Sequence, residues 1–212
     1  MIHKEGHPYV IVPALFGVLF LGAGKKRLGV GSLTLSLLNA FFFRNPERQG
    51  ILNPDYLLSP ADGKVVKVDV ERRPEWWDEP LYRVGIFMRL WDVHVNRSPV
   101  HGRVINTVYL RGEKKPVFTD SAFQRNEKQV YLIERDDGLP VWVVQVAGLI
   151  ARRIKSFVLP GDEVLAGDII GLIKFGSRVE VFFPAVNAEI LVKVGHKVLA
   201  GETPIARLPQ RK

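Results

Sequence analysis

The chain has no cysteine. Disulfides, thiolate metal sites and a cysteine nucleophile are therefore excluded. It also lacks a low-complexity tract and any long run of one charge, although 30 Lys and Arg stand against 22 Asp and Glu, a formal balance of +8. Positive charge spread in this way suits an anionic partner. With no basic run and no nucleic-acid motif, that partner is expected to be a lipid surface and not a nucleic acid. Missing too are the Gly-x-Ser-x-Gly elbow, the P-loop, the dinucleotide fingerprint and the His and acid spacings of a zinc site. No metal is expected. What remains for difficult chemistry is Ser, His, carboxylates, or a cofactor borrowed or made by the chain itself.

Two uncharged stretches stand at the amino terminus, Pro8–Gly24 and Leu28–Phe43, separated by Lys25, Lys26 and Arg27. Each is near or below the roughly 20 residues that cross a bilayer upright. Pro13 and several glycines weaken both as straight helices. No small-x-small site follows the apolar run, which argues against a cleaved signal peptide. A buried soluble hairpin is the alternative to a membrane segment. Lys4, the central basic cluster, Arg44 and Arg48 put cations on every flank, so the positive-inside rule gives no orientation. Residues 1–43 are thus expected to form a membrane-associated apolar hairpin or anchor on an anionic leaflet. The expected location is the cell membrane, peripheral or hairpin-anchored, with the remainder of the chain cytoplasmic.

From residue 44 to 212 the texture changes. Pro and Gly recur between short β-branched and aromatic runs: KVVKVDV, YRVGIFM, VHVNR, RVINTVYL, QVYLIER, VWVVQVAG and RVEVFF. This pattern predicts a mainly β, β-rich α+β domain built as a sandwich or barrel. Glu71–Pro80 and Arg111–Glu127 read as loops, the second a candidate lid. Gly161–Ile173 (GDEVLAGDIIGLI) and Gly195–Leu208 (GHKVLAGETPIARL) share the form Gly-x-x-Val-Leu-Ala-Gly followed by an apolar run. A fainter echo links Pro60–Val68 with Pro184–Val194. Such repeats resemble the two similar halves of lipoyl and biotinyl carrier sandwiches.

Three segments are candidates for chemistry. Ser59-Pro60-Ala61-Asp62-Gly63 is, taken alone, an ordinary Asp-Gly turn. In Trp91–Pro99, an extended Asp92–Asn96 would put Asp92, His94 and Asn96 on one face, where a histidine between two polar residues suits acid–base work. His101 follows closely. In Phe175–Glu180, the dipeptide Gly176-Ser177 lies between apolar runs inside the repeat, whereas the other Gly-Ser, Gly31-Ser32, sits in the amino-terminal apolar stretch.

Together, Phe43-Arg44-Asn45-Pro46, SPADGKV, DVHVNRSP, Arg125-Asn126-Glu127 and FGSRVEVFFP resemble, in matching order, the short form of phosphatidylserine decarboxylase. The resemblance implies a self-processing proenzyme, a carboxy-lyase that cleaves itself between Gly176 and Ser177. It further implies a covalent pyruvoyl cofactor derived from Ser177, with no pyridoxal phosphate and no metal, acting through a Schiff base with the substrate amine. Phosphatidylserine in an anionic membrane would become phosphatidylethanolamine and CO₂. The two cleavage fragments would form a heterodimer, with a higher oligomer open.

The chemistry explains why such a group is needed. Loss of CO₂ from an amino acid requires a sink for the electron pair, and no standard side chain is one. Making it requires Ser177 to attack the Gly176 carbonyl, with a base to activate the hydroxyl and a carboxylate to orient the base. By position these are His94 and Asp62. Longer family members carry two histidines three residues apart in this motif. Here Arg97 stands at the second place, so His94 serves as the base, with His101 the alternative. A related decarboxylase acting on archaetidylserine would use the same headgroup chemistry. A non-catalytic lipoyl-like membrane adaptor or carrier is the rival reading, with Lys174 its nearest candidate for a carrier lysine.

Overall fold

A computed structural model describes residues 1–50, 53–71, 77–113, 115–116, 120–149, 153–174 and 177–209. The chain divides into two compact units, Met1–Glu47 and Arg48–Lys212.

The first unit is an antiparallel helix pair, α1 (His7–Gly22) and α2 (Lys26–Phe42), preceded by a 3-10 turn over Lys4–Gly6. Pro13 stays inside α1 because its neighbour helix repairs the damage. A proline leaves the carbonyl four residues earlier without its donor; that carbonyl is Tyr9 O, and Asn39 Nδ2 of α2 donates to it at 3.0 Å. Ser36 Oγ donates to Val10 O at 2.7 Å and Ser32 Oγ to Pro13 O at 2.6 Å. The helices meet closely at Gly17 and Gly29, where an added Cβ would lie 2.7 Å from Leu33 and 2.6 Å from Leu21. Small residues at the crossing and polar side chains on the partner backbone are how helices associate in lipid. Large apolar side chains cover the outside of the pair, among them Leu15, Leu19, Leu37 and Leu38, each at least 60% exposed. The segment Lys4–Gly22 is long and apolar enough to cross a membrane by length and composition. Phe43 closes the base of the unit, fully buried, stacked on Tyr9, its carbonyl accepting from His3 N at 2.8 Å.

The second unit is mostly β. In chain order it contains β1 (Tyr56–Leu58), β2 (Gly63–Glu71), β3 (Leu81–Met88), β4 (Val95–Arg97), β5 (Gly102–Leu110), α3 (Asp120–Arg125), β6 (Lys128–Arg135) and β7 (Pro140–Ala147). Then follow β8 (Arg153–Ser156), β9 (Glu163–Val164), β10 (Ile169–Lys174), β11 (Ser177–Pro184), β12 (Glu189–Ile190), β13 (Lys197–Val198) and β14 (Pro204–Arg207). A large antiparallel sheet has the order β13-β2-β3-β11-β7-β6-β5-β9, and two small sheets have the orders β1-β14-β12 and β4-β10-β8. The alternation expected of a strand sends Val179, Val181 and Phe183 of β11 into the main core, with Val84, Ile86, Val141 and Val143. Phe182 goes to the opposite face, where Leu81, Trp142, Val144 and Val146 form a second cluster covered by Trp77 and Phe123. Covered on both faces, β11 is buried at all eight positions.

The sequence repeat is a structural duplication, and it is larger than the Val-Leu-Ala-Gly units. Gly161 N donates to Val104 O and Val104 N to Asp162 O; in the other copy Gly195 N donates to Val65 O and Val65 N to His196 O. Gly167 N donates to Ser98 O, and Gly201 N to Ser59 O. Ser98 Oγ donates to Val100 O and Ser59 Oγ to Ala61 O, both at 2.7 Å. Ser59–Gly63 is therefore the counterpart of Ser98–Gly102, so Asp62 and His101 occupy equivalent places. The fainter echo in 184–194 does not match: its strand, β12, joins a small sheet, whereas β2 lies in the large one.

Two local expectations also change. Asp92 is not part of a strand, because its Oδ2 accepts from Arg89 N at 2.7 Å and closes a turn, so the extended segment begins only at Val95. Arg111–Glu127 is not simply a loop, since it contains α3. Residues 114 and 117–119 of it lie outside the described residues.

Candidate active site

Ser177 opens β11, between Met88 of β3 and Ala147 of β7. Its side chain is fully buried, and Oγ donates to Met88 Sδ at 3.2 Å. Gly176, the other half of the expected cleavage site, lies outside the described residues, as does Phe175.

The other motifs arrive at this end of the sheet by separate routes. Pro60 O of the SPADG turn accepts from Arg97 N at 2.9 Å and from Asn96 Nδ2 at 3.4 Å, which fixes that turn to the DVHVNR segment. The turn then leads into β2, where Lys64 pairs with Phe87, the residue before Met88. Gly63 adopts φ 157, and a Cβ there would collide with Phe87 O, so only glycine allows this approach. Asn126 Nδ2 donates to Ala147 O at 2.8 Å and to Lys115 O at 2.7 Å, tying the 111–127 segment to the residue beside Ser177.

His94 is fully buried, and its Nδ1 lies 2.9 Å from Asp92 O. A carbonyl only accepts, so Nδ1 carries the proton and Nε2 is the basic nitrogen. Asp62 is 6% exposed. Its carboxylate accepts from Arg48 Nη2 at 2.7 and 2.9 Å and from Ala200 N at 2.8 Å. Burial pushes its pKa above the ordinary carboxylate value, against the opposing pull of the Ala200 amide and Arg48. The carboxylate expected to orient His94 is thus held by Arg48 and Ala200, and the group holding His94 Nδ1 is a main-chain carbonyl. His101 is in a different place: with Arg103, Glu134 and Glu163 it lines the duplicate cleft of about 520 Å³. The cleft at Asp62, about 220 Å³, is lined also by Arg89, Trp91 and Asp92.

Sequence reasoning did not find a polar chain buried beneath Ser177. Tyr131 Oη donates to Gln145 Oε1 at 2.8 Å, Gln145 Nε2 donates to Asn96 Oδ1 at 2.6 Å, and Asn96 Nδ2 reaches Pro60 O. Asn96 Nδ2 also lies 3.6 Å from the Met88 sulfur that accepts the Ser177 hydrogen bond. Tyr131, Gln145 and Asn96 are fully buried, and burial raises the phenol pKa well beyond its usual range. The only signal in the sequence was a lone Gln in an otherwise apolar VWVVQVAG, and the partners that make it meaningful are remote.

On the opposite face of β11, Glu180 is fully buried between two arginines. Arg83 Nε and Nη2 donate to its carboxylate, and Arg178 Nε lies 2.8 Å from Oε1. Arg83 also lies over the Phe123 ring, 4.3 Å from its centroid. Strand alternation points this cluster away from Ser177 Oγ, and its role is to hold β11 against β3. Among the described residues, no group of three His, Asp or Glu side chains is placed to bind a metal.

The family model for phosphatidylserine decarboxylase matches residues 35–206. A phosphatidylserine decarboxylase proenzyme of Syntrophus aciditrophicus (strain SB) is 41% identical over 207 residues, covering 96% of both chains. That of Geobacter metallireducens (strain ATCC 53774 / DSM 7210 / GS-15) is 39% identical over 215 residues, 98% of this chain and 97% of its own. That of Erythrobacter litoralis (strain HTCC2594) is 40% identical, covering 100% of this chain and 89% of its own. A match of this extent, carried by motifs that converge on one end of β11, shows that the chain belongs to the phosphatidylserine decarboxylase family, a family of carboxy-lyases.

Proposed function

We propose that this chain is a proenzyme that cleaves itself between Gly176 and Ser177 and then decarboxylates phosphatidylserine to phosphatidylethanolamine and CO₂. The observation that carries the reading is the convergence of SPADG, DVHVNR and Arg125-Asn126-Glu127 on Ser177, the first residue of a fully buried central strand.

In the cleavage, Ser177 Oγ adds to the Gly176 carbonyl carbon while its proton passes to His94 Nε2. The Gly176–Ser177 C–N bond then breaks, leaving an ester and a free Ser177 amine. Loss of the Ser177 Cα proton expels the Gly176 carboxylate and leaves a dehydroalanine. Water replaces its nitrogen, which departs as ammonia. Asp62 supports this end of the sheet as a buried carboxylate, and its bonds to Arg48 and Ala200 hold the SPADG turn.

A pyruvoyl group at position 177 would supply a carbonyl for the substrate amine and a sink for the electron pair left by CO₂. Two features of the site fit it. The new terminus would lie in an enclosed position against Met88 and Ala147. It would also stay there, because β11 is paired along its length with β3 and from Ser177 to Phe182 with β7. His94, no longer needed as the base for cleavage, is the group available to move a proton to the product carbon. The exposed apolar surface of the α1–α2 pair supports attachment to the bilayer that holds the substrate.

Intact mass of purified protein under denaturing conditions tests the reading. Two fragments are expected, Met1–Gly176 and a smaller one beginning with a blocked residue 177. Ser177→Ala is expected to remain one chain and to release no CO₂ from phosphatidylserine. His94→Ala should slow cleavage by two or more orders of magnitude, on the order of a general base contribution. A wild-type chain that stays whole yet decarboxylates would overturn the proposal.

A further inference from the structure

The duplication gives the Asp62 cleft an internal control. In the His101 cleft, Arg103 and Glu163 stand opposite each other on β5 and β9 and form an ion pair at 3.2 Å. At the same register in the Asp62 cleft, β2 and β13 put Lys64 opposite Lys197. Two like charges facing each other across antiparallel strands repel, and both lysines are exposed. Arg89 adds a third cation to the cleft. Of its two carboxylates, Asp62 is already paired with Arg48, and Asp92 accepts from Arg89 N.

The rim of the same cleft is apolar. Trp91 and Leu199 of its lining are 58% and 46% exposed, with Arg89 beside the Trp91 ring, and Leu90, between Arg89 and Trp91 in the chain, is 46% exposed. An exposed tryptophan and leucines alternating with cations match the water–lipid boundary, where the apolar parts enter and the cations meet phosphates.

We propose that the surface formed by Lys64, Arg89, Leu90, Trp91, Lys197 and Leu199 docks the catalytic unit on an anionic bilayer and opens the Asp62 cleft towards it. This rests on the function proposed above, since it brings the bilayer that holds the substrate to the face of the catalytic unit that carries Asp62 and Gly63 of the SPADG turn. It does not depend on the apolar helices of the first unit. The negative surface potential of the leaflet supplies the counter-charge that Glu163 supplies in the duplicate cleft.

The absence of cysteine makes the test direct. Trp91→Cys and Leu199→Cys in the full chain, each carrying an environment-sensitive nitrobenzoxadiazole label, are mixed with vesicles of phosphatidylcholine, with or without phosphatidylglycerol. Val186→Cys, exposed and outside this surface, is the control. Labels at 91 and 199 should brighten several-fold on phosphatidylglycerol vesicles and be quenched by nitroxide lipids, while the label at 186 stays silent. Lys197→Glu, which recreates the Arg103–Glu163 arrangement against Lys64, should keep the melting temperature and lose most of the response at 91.

Silence at 91 and 199 while the chain still floats with vesicles would overturn the proposal, as would an equal response at 186. An unchanged response in Lys197→Glu would overturn the electrostatic part. Phosphatidylglycerol has no amino-acid headgroup, so failure to dock is read independently of failure to cleave or decarboxylate.

Discussion

At the scale of the residue, the site depends on groups whose partners are all inside the protein. Replacing Gln145 by Leu would remove the bond it makes to Tyr131 Oη and leave Asn96 Oδ1 without the Gln145 donor. An unsatisfied buried group costs about 1–3 kcal/mol, so Gln145→Leu should lower the denaturant midpoint clearly. Tyr131→Phe removes one bond of the same chain and should cost less. Both should slow appearance of the small fragment, because Asn96 steadies Pro60 O and the Met88 sulfur beside Ser177; time-resolved electrophoresis of freshly refolded protein checks this. Asp62 gives a prediction in pH. Burial raises its pKa on folding, so the folded state favours the protonated carboxyl, and the cost of holding it ionised disappears as pH falls through the raised range. The melting temperature of wild type relative to Asp62→Asn should therefore rise as pH is lowered from neutral into that range. A difference independent of pH would contradict the assignment.

At the scale of the element, the amino-terminal helices and the repeated hairpins differ in how much of themselves they carry. In the α1–α2 pair, Pro13 and the glycines look like defects when each helix is read alone. They become packing features once the partner is present: Asn39 caps the carbonyl that Pro13 strands, and Gly17 and Gly29 permit the close crossing. Asn39→Leu should destabilise the pair by about 1 kcal/mol, in the range of interhelical bonds in lipid. Gly29→Leu should do more, because its Cβ would strike Leu21 and the Gly17 carbonyl. Loss of helical circular dichroism with rising denaturant in detergent micelles measures both. The hairpins of the duplication needed less help from afar. Gly161, Gly167, Gly195 and Gly201 all adopt positive φ, which is why the Gly-x-x-Val-Leu-Ala-Gly pattern was legible. The Ser59 and Ser98 halves were not, because they share a hydrogen-bonding geometry and only Ser-Pro and Gly in letters.

At the scale of the whole molecule, the strands after Ser177 are threaded through those before it. β11 pairs with β3 and β7, β13 with β2, and β14 with β1. Cleavage would cut the chain without cutting the sheet, so the two fragments should elute as one species under native conditions and separate only in denaturant. A small fragment that dissociates on gel filtration would be incompatible with this topology. The family, the mainly β body, the apolar amino-terminal segment and the glycine-marked repeat were legible in the letters, as were the residues proposed for the site, because motifs, periodicity and turn chemistry are local. The surroundings of those residues were settled by the folded chain: the Met88 sulfur at Ser177, the Tyr131–Gln145–Asn96 chain, the Arg48 that holds Asp62, and the separate clefts lined by His101 and by Asp62. Those are contacts between distant segments, and the energy that selects them comes from burying the centre of the large sheet, β11 and β7, on both faces. The Gly176-Ser177 dipeptide is no different from Gly31-Ser32 in letters; the strand that follows it, and what that strand lies between, make the difference.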